Sequence, residues 1–137
     1  SQFEGDATIL DIDKSQLRNT LVAIENGSFT LTDTELDNVS LTGDSNAITA
    51  KQLILKNLVE ISSHYSDITL QLDDETRSNI NFNLRVTNDD LEVSDMIAGT
   101  DKVTSDDNQE NLTFNKQVKD NKATLTIDNQ EGPVSID

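Results

Sequence analysis

The chain has 137 residues, enough for one domain with a core of its own and no need of covalent staples. It carries 26 acidic against 10 basic residues, a formal charge of −16, which argues against nucleic acid and against electrostatic docking on an anionic membrane. Cysteine is absent, so disulfides, thiolate metal sites and a cysteine nucleophile are excluded.

The chain opens on turn-like residues. Gly5-Asp6-Ala7-Thr8 precedes Leu10 much as Asn26-Gly27-Ser28 precedes Phe29. From Leu10 to Leu70 one pattern recurs about every 19 residues: Leu10-Asp11-Ile12, Phe29-Thr30-Leu31, Ile48-Thr49-Ala50 and Ile68-Thr69-Leu70. A second marker keeps the step, in Leu17-Arg18-Asn19, Leu36-Asp37-Asn38 and Leu55-Lys56-Asn57. Alternating segments lie between, such as Val22-Ala23-Ile24, Val39-Ser40-Leu41 and Val59-Glu60-Ile61. Alternation is the signature of a strand. Asn26-Gly27, Gly43-Asp44-Ser45-Asn46 and Ser62-Ser63-His64-Tyr65-Ser66 supply the turns. Lys51–Tyr65 could be drawn as an amphipathic helix, with Leu53, Ile54, Leu58 and Ile61 on one side. Its alignment with neighbouring repeats favours strand.

After Leu70 the expected series continues through Leu91-Glu92-Val93, Leu112-Thr113-Phe114 and Val134-Ser135-Ile136. Preceding strands are expected at Phe82–Val86, around Val103 and at Leu125-Thr126-Ile127. Ser94–Glu110 is rich in loop formers and is expected to be a mobile loop or a poorly formed rung. The residue between each apolar pair should face outward. It is polar in every case: Asp11, Thr30, Thr49, Thr69, Glu92, Thr113 and Ser135.

A repeat this short cannot bury its apolar face alone, and stacked copies can. The expected fold is therefore all-β: a single-stranded, right-handed parallel β-helix of about seven short rungs, roughly 30 Å long at the inter-strand spacing. Leu10, Phe29, Ile48, Ile68, Leu91, Leu112 and Val134 would form one inner stack. Ile12, Leu31, Ala50, Leu70, Val93, Phe114 and Ile136 would form a second. Leu17, Leu36 and Leu55 would form a third, extended by Ile97 and Val118. Asn19, Asn38 and Asn57 read as a structural asparagine ladder, since asparagine tolerates left-handed turns. Beside it, Arg18, Asp37 and Lys56 alternate in sign and should pair between rungs.

Catalytic chemistry finds little support. His64 is the sole histidine, and a triad with Ser62, Ser63, Ser66 or Asp67 on one short turn would seldom align. The carboxylate runs at Asp11 with Asp13, Asp73-Asp74-Glu75, Asp89-Asp90 and Asp106-Asp107 lack the calcium-loop spacing. No phosphate loop is present, and Phe3, Phe29, Tyr65, Phe82 and Phe114 are too few for a stacking platform. Asn26-Gly27-Ser28, Asn38-Val39-Ser40 and Asn111-Leu112-Thr113 match the glycosylation triplet, a frequent coincidence. The expectation is no catalytic, cofactor-binding or metal site, and no cofactor. No apolar run reaches the roughly 18 residues of a membrane helix, and no segment reads as a signal peptide.

Tyr65-Ser66-Asp67-Ile68-Thr69-Leu70, Thr87-Asn88-Asp89-Asp90-Leu91-Glu92-Val93 and Asn129-Gln130-Glu131-Gly132-Pro133-Val134-Ser135-Ile136 share a recurring Ser-Asn-Gly-Asp-Ile-x-Ile phrase. Asp89 replaces its glycine and Pro133 its aspartate. The phrase resembles that of the bacterial toastrack, or adhesin-type, domains, which are single-stranded right-handed β-helices. The resemblance implies an extracytoplasmic setting at a Gram-positive envelope, at the cell surface or held to the membrane through other parts of a parent protein. Some such domains are similar to components of Lia-type envelope-stress responses. Residues 1–137 would then be one β-helix domain excised from a longer envelope protein, an expectation the missing initial Met also prompts. The expected role is a non-enzymatic interaction domain, in adhesion or stress sensing. Its partner would be a protein or cationic peptide, with end-to-end self-association also open. There would be no nucleic acid and no membrane insertion. The alternatives are a polysaccharide-binding or polysaccharide-active β-helix and a plain structural spacer.

Overall fold

A computed structural model describes residues 1–118 and 123–137. The expected all-β class holds, and the repeat is visible in how the strands pair. β1 (Gln2–Asp6), β3 (Gln16–Glu25), β5 (Glu35–Asp44) and β6 (Ala47–His64) lie side by side and parallel. A second parallel ladder joins β2 (Ile9–Asp13), β4 (Ser28–Thr32), the start of β6 and β7 (Asp67–Leu72). Successive sequence segments thus alternate between two ladders, and each 19-residue step advances the chain by one strand. The helix reading of Lys51–Tyr65 fails, because all of that stretch but Tyr65 belongs to β6, which pairs with β4, β5 and β7.

Bends divide the long strands. Lys14, Asp33 and Gln52 adopt positive φ of 49°, 47° and 53°, and Asn19, Asn38 and Asn57 adopt 49°, 56° and 57°. Left-handed backbone costs a non-glycine residue about 1–2 kcal/mol, least for asparagine. The asparagine ladder accordingly sits at a corner that recurs on successive strands. Asn38 Nδ2 donates to Asn19 Oδ1 at 2.7 Å. Asn57 Nδ2 departs from the ladder and donates to Asp37 Oδ1 at 2.6 Å. A third corner holds Ala7, Asn26, Ser45, Tyr65, Glu131 and Asn88, all at positive φ. Their amides donate in turn to Glu25, Asp44, His64, Gln130, Thr87 and Glu110 carbonyls at 2.7–2.9 Å.

The second half corrects the expected order. β8 (Asn81–Thr87) and β9 (Leu91–Val93) do not pair with β6 and β7. β12 (Thr124–Gln130) lies between β6 and β8, parallel to both. β13 (Val134–Ile136) lies likewise between β7 and β9. The last strands in sequence are therefore wedged into the middle of the stack. The first inner column runs Leu10, Phe29, Ile48, Ile68, Val134, Leu91, and the second Ile12, Leu31, Ala50, Leu70, Ile136, Val93. Leu112 and Phe114 belong to neither. They lie on β11 (Asn111–Lys116), which runs antiparallel to β8 and sets Leu112 opposite Val86 and Phe114 opposite Leu84. The sheet is consequently mixed, not a parallel series of seven rungs.

Two short helices interrupt the third segment. α1 (Asp74–Asn79) follows Leu72, and its Thr76 Oγ1 accepts from Leu55 N at 3.4 Å. The leucine column Leu17–Leu36–Leu55 thus ends against a helix. The local signal is clear: Asp73 Oδ1 caps the Thr76 amide at 2.8 Å, and Asp74 and Glu75 follow in the first turn. α2 (Asp95–Ala98) buries Ile97, while Val118 stays half-buried outside any strand. Ser94–Glu110 is also not one loop. It contains α2 and β10 (Thr104–Ser105), and β10 pairs antiparallel with β11.

Asp106 turns that hairpin. Its carboxylate accepts from Asn111 Nδ2 at 2.8 Å and from the amides of Glu110 and Asn111 at 2.9 and 3.3 Å. The Asn111 side chain, followed by its amide, holds the Asp106 carboxyl below its ordinary value of 3.8. A depressed carboxyl stabilises the fold fully above its unfolded value and loses that contribution as pH falls through the lower, folded one. Exchange protection of the Glu110 and Asn111 amides should therefore fall on acidification below that ordinary value. Asp106→Ala should abolish the acid-dependent step and leave those amides weakly protected at neutral pH. Hydrogen exchange followed by NMR checks both.

Two buried amides stitch the interior near the third corner. Asn46 Oδ1 accepts from Gly27 N at 2.9 Å, and its Nδ2 donates to Ile24 O. Asn129 is fully buried. Its Nδ2 donates to Ser66 O at 2.8 Å and Gly132 O at 2.9 Å, and its Oδ1 accepts from Ser63 Oγ at 2.6 Å.

Candidate functional site

The third corner also shapes an acidic face. Asp6, Glu25 and Asp44 end β1, β3 and β5, and the register sets Asp6 beside Glu25 and Glu25 beside Asp44. His64 comes next, opposite Asp44 on β6. Each is followed by a left-handed residue, Ala7, Asn26, Ser45 or Tyr65. The chain turns there, and the carboxylates remain at the lip. Glu25 and Asp44, with Glu4 and His64, border an open groove of about 600 Å3 that is also lined by Gly5 and Gly43.

Like charges directly opposite on neighbouring strands destabilise a sheet. Here they are stacked about 4.8 Å apart. Their polar contacts are neutral: Asn26 Nδ2 donates to Asp6 Oδ1 at 3.1 Å, and Ser45 Oγ donates to Asp44 Oδ1 at 3.1 Å. Among the described residues, no lysine or arginine forms an ion pair with Asp6, Glu25 or Asp44. The row keeps the 19-residue step at 6, 25 and 44, so it was legible in the sequence. The apolar triplets do not point to it.

His64 closes the row. Its ring stacks on Tyr65, with centroids 3.8 Å apart and planes at 24°. Its Nε2 lies 3.8 Å from Glu131 Oε2. Glu131 also bonds the Tyr65 phenol, and that hydrogen bond with its charge raises the phenol's pKa above the ordinary 10.0. The nearby serines are occupied elsewhere. Ser63 Oγ donates to Asn129, and Ser66 Oγ accepts from the Asn46 amide at 3.3 Å. No described hydrogen bond joins His64 to a serine or to Asp67. The corner can offer charge and a stacked ring pair, and the contacts assemble no activated nucleophile.

A second charged cluster lies on the leucine-bearing segments. Glu35, its side chain 9% exposed, receives Lys56 Nζ at 2.8 Å and lies 3.8 Å from an Arg18 guanidinium nitrogen. This corrects the expected alternation. Arg18, Asp37 and Lys56 are neighbours in register, but both cations turn to Glu35, and Asp37 takes Asn57. The Glu35 hydrogen bond and charge raise the Lys56 ammonium above its ordinary 10.5. A buried carboxylate with two cations is already neutralised, so the cluster clamps adjacent strands.

Asn111 forms a third node. Its Oδ1 accepts from Thr87 Oγ1 at 2.8 Å and from Arg85 Nε and a terminal guanidinium nitrogen at 3.3 and 3.2 Å. This ties the hairpin to β8. The outer face of the second ladder carries Asp11, Thr30, Thr49, Thr69, Ser135 and Glu92 in register. Thr113 lies elsewhere, opposite Arg85.

Among the described residues no three His, Asp or Glu side chains gather in a metal-holding group. No described helix is long and apolar enough to cross a membrane. Comparison with family models, with curated proteins and with solved structures finds no match.

Proposed function

We propose that the chain is a non-enzymatic interaction domain whose acidic face receives a basic protein or peptide. Its parallel ladders would wind as a right-handed β-helix, the hand that crossovers between parallel strands nearly always take. The likeness of its turn phrases to toastrack-type domains suggests an extracytoplasmic post at a bacterial envelope, in adhesion or in sensing envelope stress. One observation carries the partner's charge: Asp6, Glu25 and Asp44 stand in register without a cation of their own. Each pays an electrostatic penalty in the free chain that a cationic ligand would relieve.

The test is a double variant, Glu25→Gln/Asp44→Asn. It should raise the melting temperature slightly, since like-charge pairs cost a few tenths of a kcal/mol each. It should also weaken poly-lysine binding several-fold at low salt, measured by titration calorimetry. Equal binding by parent and variant would remove the acidic groove from the reading. Failure of the parent to bind poly-lysine at low salt would refute a cationic partner altogether.

A further inference from the structure

The groove beside the acidic row has two unlike sides. Its middle is a row of small outward residues, Ala23, Thr42 and Ser62, set in register across β3, β5 and β6. Glu25, Asp44 and His64 stand along one flank. Leu21, Ser40 and Glu60 stand along the other, and Leu21 is 40% exposed there. β3, β5 and β6 each have a paired strand on both sides, so the groove lies within the sheet and not at its rim. The middle row continues into Asp128 on β12 and Arg85 on β8. Arg85 turns to Asn111, and among the described residues Asp128 Oδ1 is buried without a hydrogen-bond partner. The floor of the groove thus leads to an acceptor that still lacks a donor.

Its dimensions select the shape of a guest. Outward residues of one strand lie about 6.6 Å apart, so the groove measures about 13 Å from Leu21 to Glu25. An α-helix with its side chains is about 10–12 Å across. Along the groove, carboxylates recur about every 4.8 Å, and Asp6, Glu25 and Asp44 span about 9.6 Å. A helix laid in that direction returns to the same face about every 5.4 Å, and its residues i, i+4 and i+7 span about 10.5 Å. The side chains of an extended guest would recur about every 6.6 Å and fall out of step after one carboxylate.

We infer that this groove takes an amphipathic helix of a basic partner, laid across the strands. One stripe of lysine or arginine lies against Glu25 and Asp44, and an apolar stripe lies against Leu21 and Ala23. Docking of a helix in a groove is read by anchors at such i, i+4, i+7 positions. The inference rests on the acidic-face reading and adds the conformation that this face selects. A second copy cannot be the guest, because the helices among the described residues, α1 and α2, have six and four residues.

The probe is a fluorescent peptide of about 14 residues, short enough to be only marginally helical alone. It carries lysine at i, i+4, i+7 and i+11, leucine on the adjoining stripe and alanine elsewhere. The control has the same composition with the lysines scattered round the helix. Both are titrated into the full chain at low salt, by anisotropy and by circular dichroism. The striped peptide should bind several-fold more tightly than the scattered one and become helical as it binds. Thr42→Tyr keeps every carboxylate and fills the floor with an exposed side chain that suits a strand. It should melt like the parent, keep poly-lysine binding and hold the striped peptide roughly tenfold more weakly. Leu21→Ser should weaken the striped peptide several-fold and leave poly-lysine binding unchanged, and it carries the test alone should the tyrosine variant melt early. Equal affinity of parent and variant for the striped peptide, or equal affinity of the parent for both peptides, overturns the inference. If poly-lysine binds the parent and the striped peptide gains no helix, the helix groove falls and the acidic-face reading stands. If neither binds, both fall.

Discussion

A chain ending at Val118 should lose its cooperative unfolding transition. Leu125, Ile127, Val134 and Ile136 are each 0–1% exposed, on strands flanked on both sides. Burying one such side chain is worth about 1.5–3 kcal/mol, so the four together match the whole stability of a typical domain, about 5–15 kcal/mol. The loss does not stop with them. β6 and β7 would stand two strand spacings from β8 and β9, beyond any hydrogen bond. Val59, Ile61 and Ile68 would be uncovered on one side, and Leu84 and Leu91 on the other. Hydrogen exchange should show β8, β9 and β11 unprotected, with residual protection confined to β3, β5 and the first part of β6. A shortened chain that melts like the full one would contradict the wedged arrangement.

Gly132→Ala should cost about 3 kcal/mol, at the upper end for overpacking a core. A methyl group there would lie 1.8 Å from Ser66 O and 2.8 Å from Ser66 C. Both are backbone atoms, so no side chain can swing away to make room. The same methyl would come within 2.9 Å of Asn129 Nδ2, which donates to the carbonyls of Ser66 and Gly132. Any shift that relieves the clash therefore stretches two buried hydrogen bonds, and an unmade buried bond costs about 1–3 kcal/mol. Chemical denaturation should show a lower midpoint with an unchanged slope. A loss below about 1 kcal/mol would mean that the turn at Glu131–Gly132 can move away from Ser66.

The first half of the fold was legible because one physical unit repeats there. Phe29, Ile48 and Ile68 each face inward for the same reason, and each lies one step from the last. The second half was legible in facing but not in order. Alternation at Val134-Ser135-Ile136 tells which side chains turn inward, and it is silent about the neighbouring strand. Leu112-Thr113-Phe114 alternates equally well in an antiparallel pair, which is what it forms. The cap at Asp73 was readable locally, but Asp73-Asp74-Glu75 drew notice only as a run of carboxylates, because the repeat has no place for a helix. The acidic row could have been found by carrying the step to positions 6, 25 and 44.

The wedged β12–β13 segment also bears on how such a chain could lengthen over time. Repeat proteins usually grow by copying one unit and appending it at an end. A copy appended after Ile136 would emerge from the interior, between β7 and β9, with no free edge to join. At the far end the β10–β11 hairpin covers the outer edge of β8 and leaves β9 paired with β13 alone. A unit copied onto the carboxyl side would therefore have to part strands that are already paired, unlike the appended units of an ordinary repeat protein.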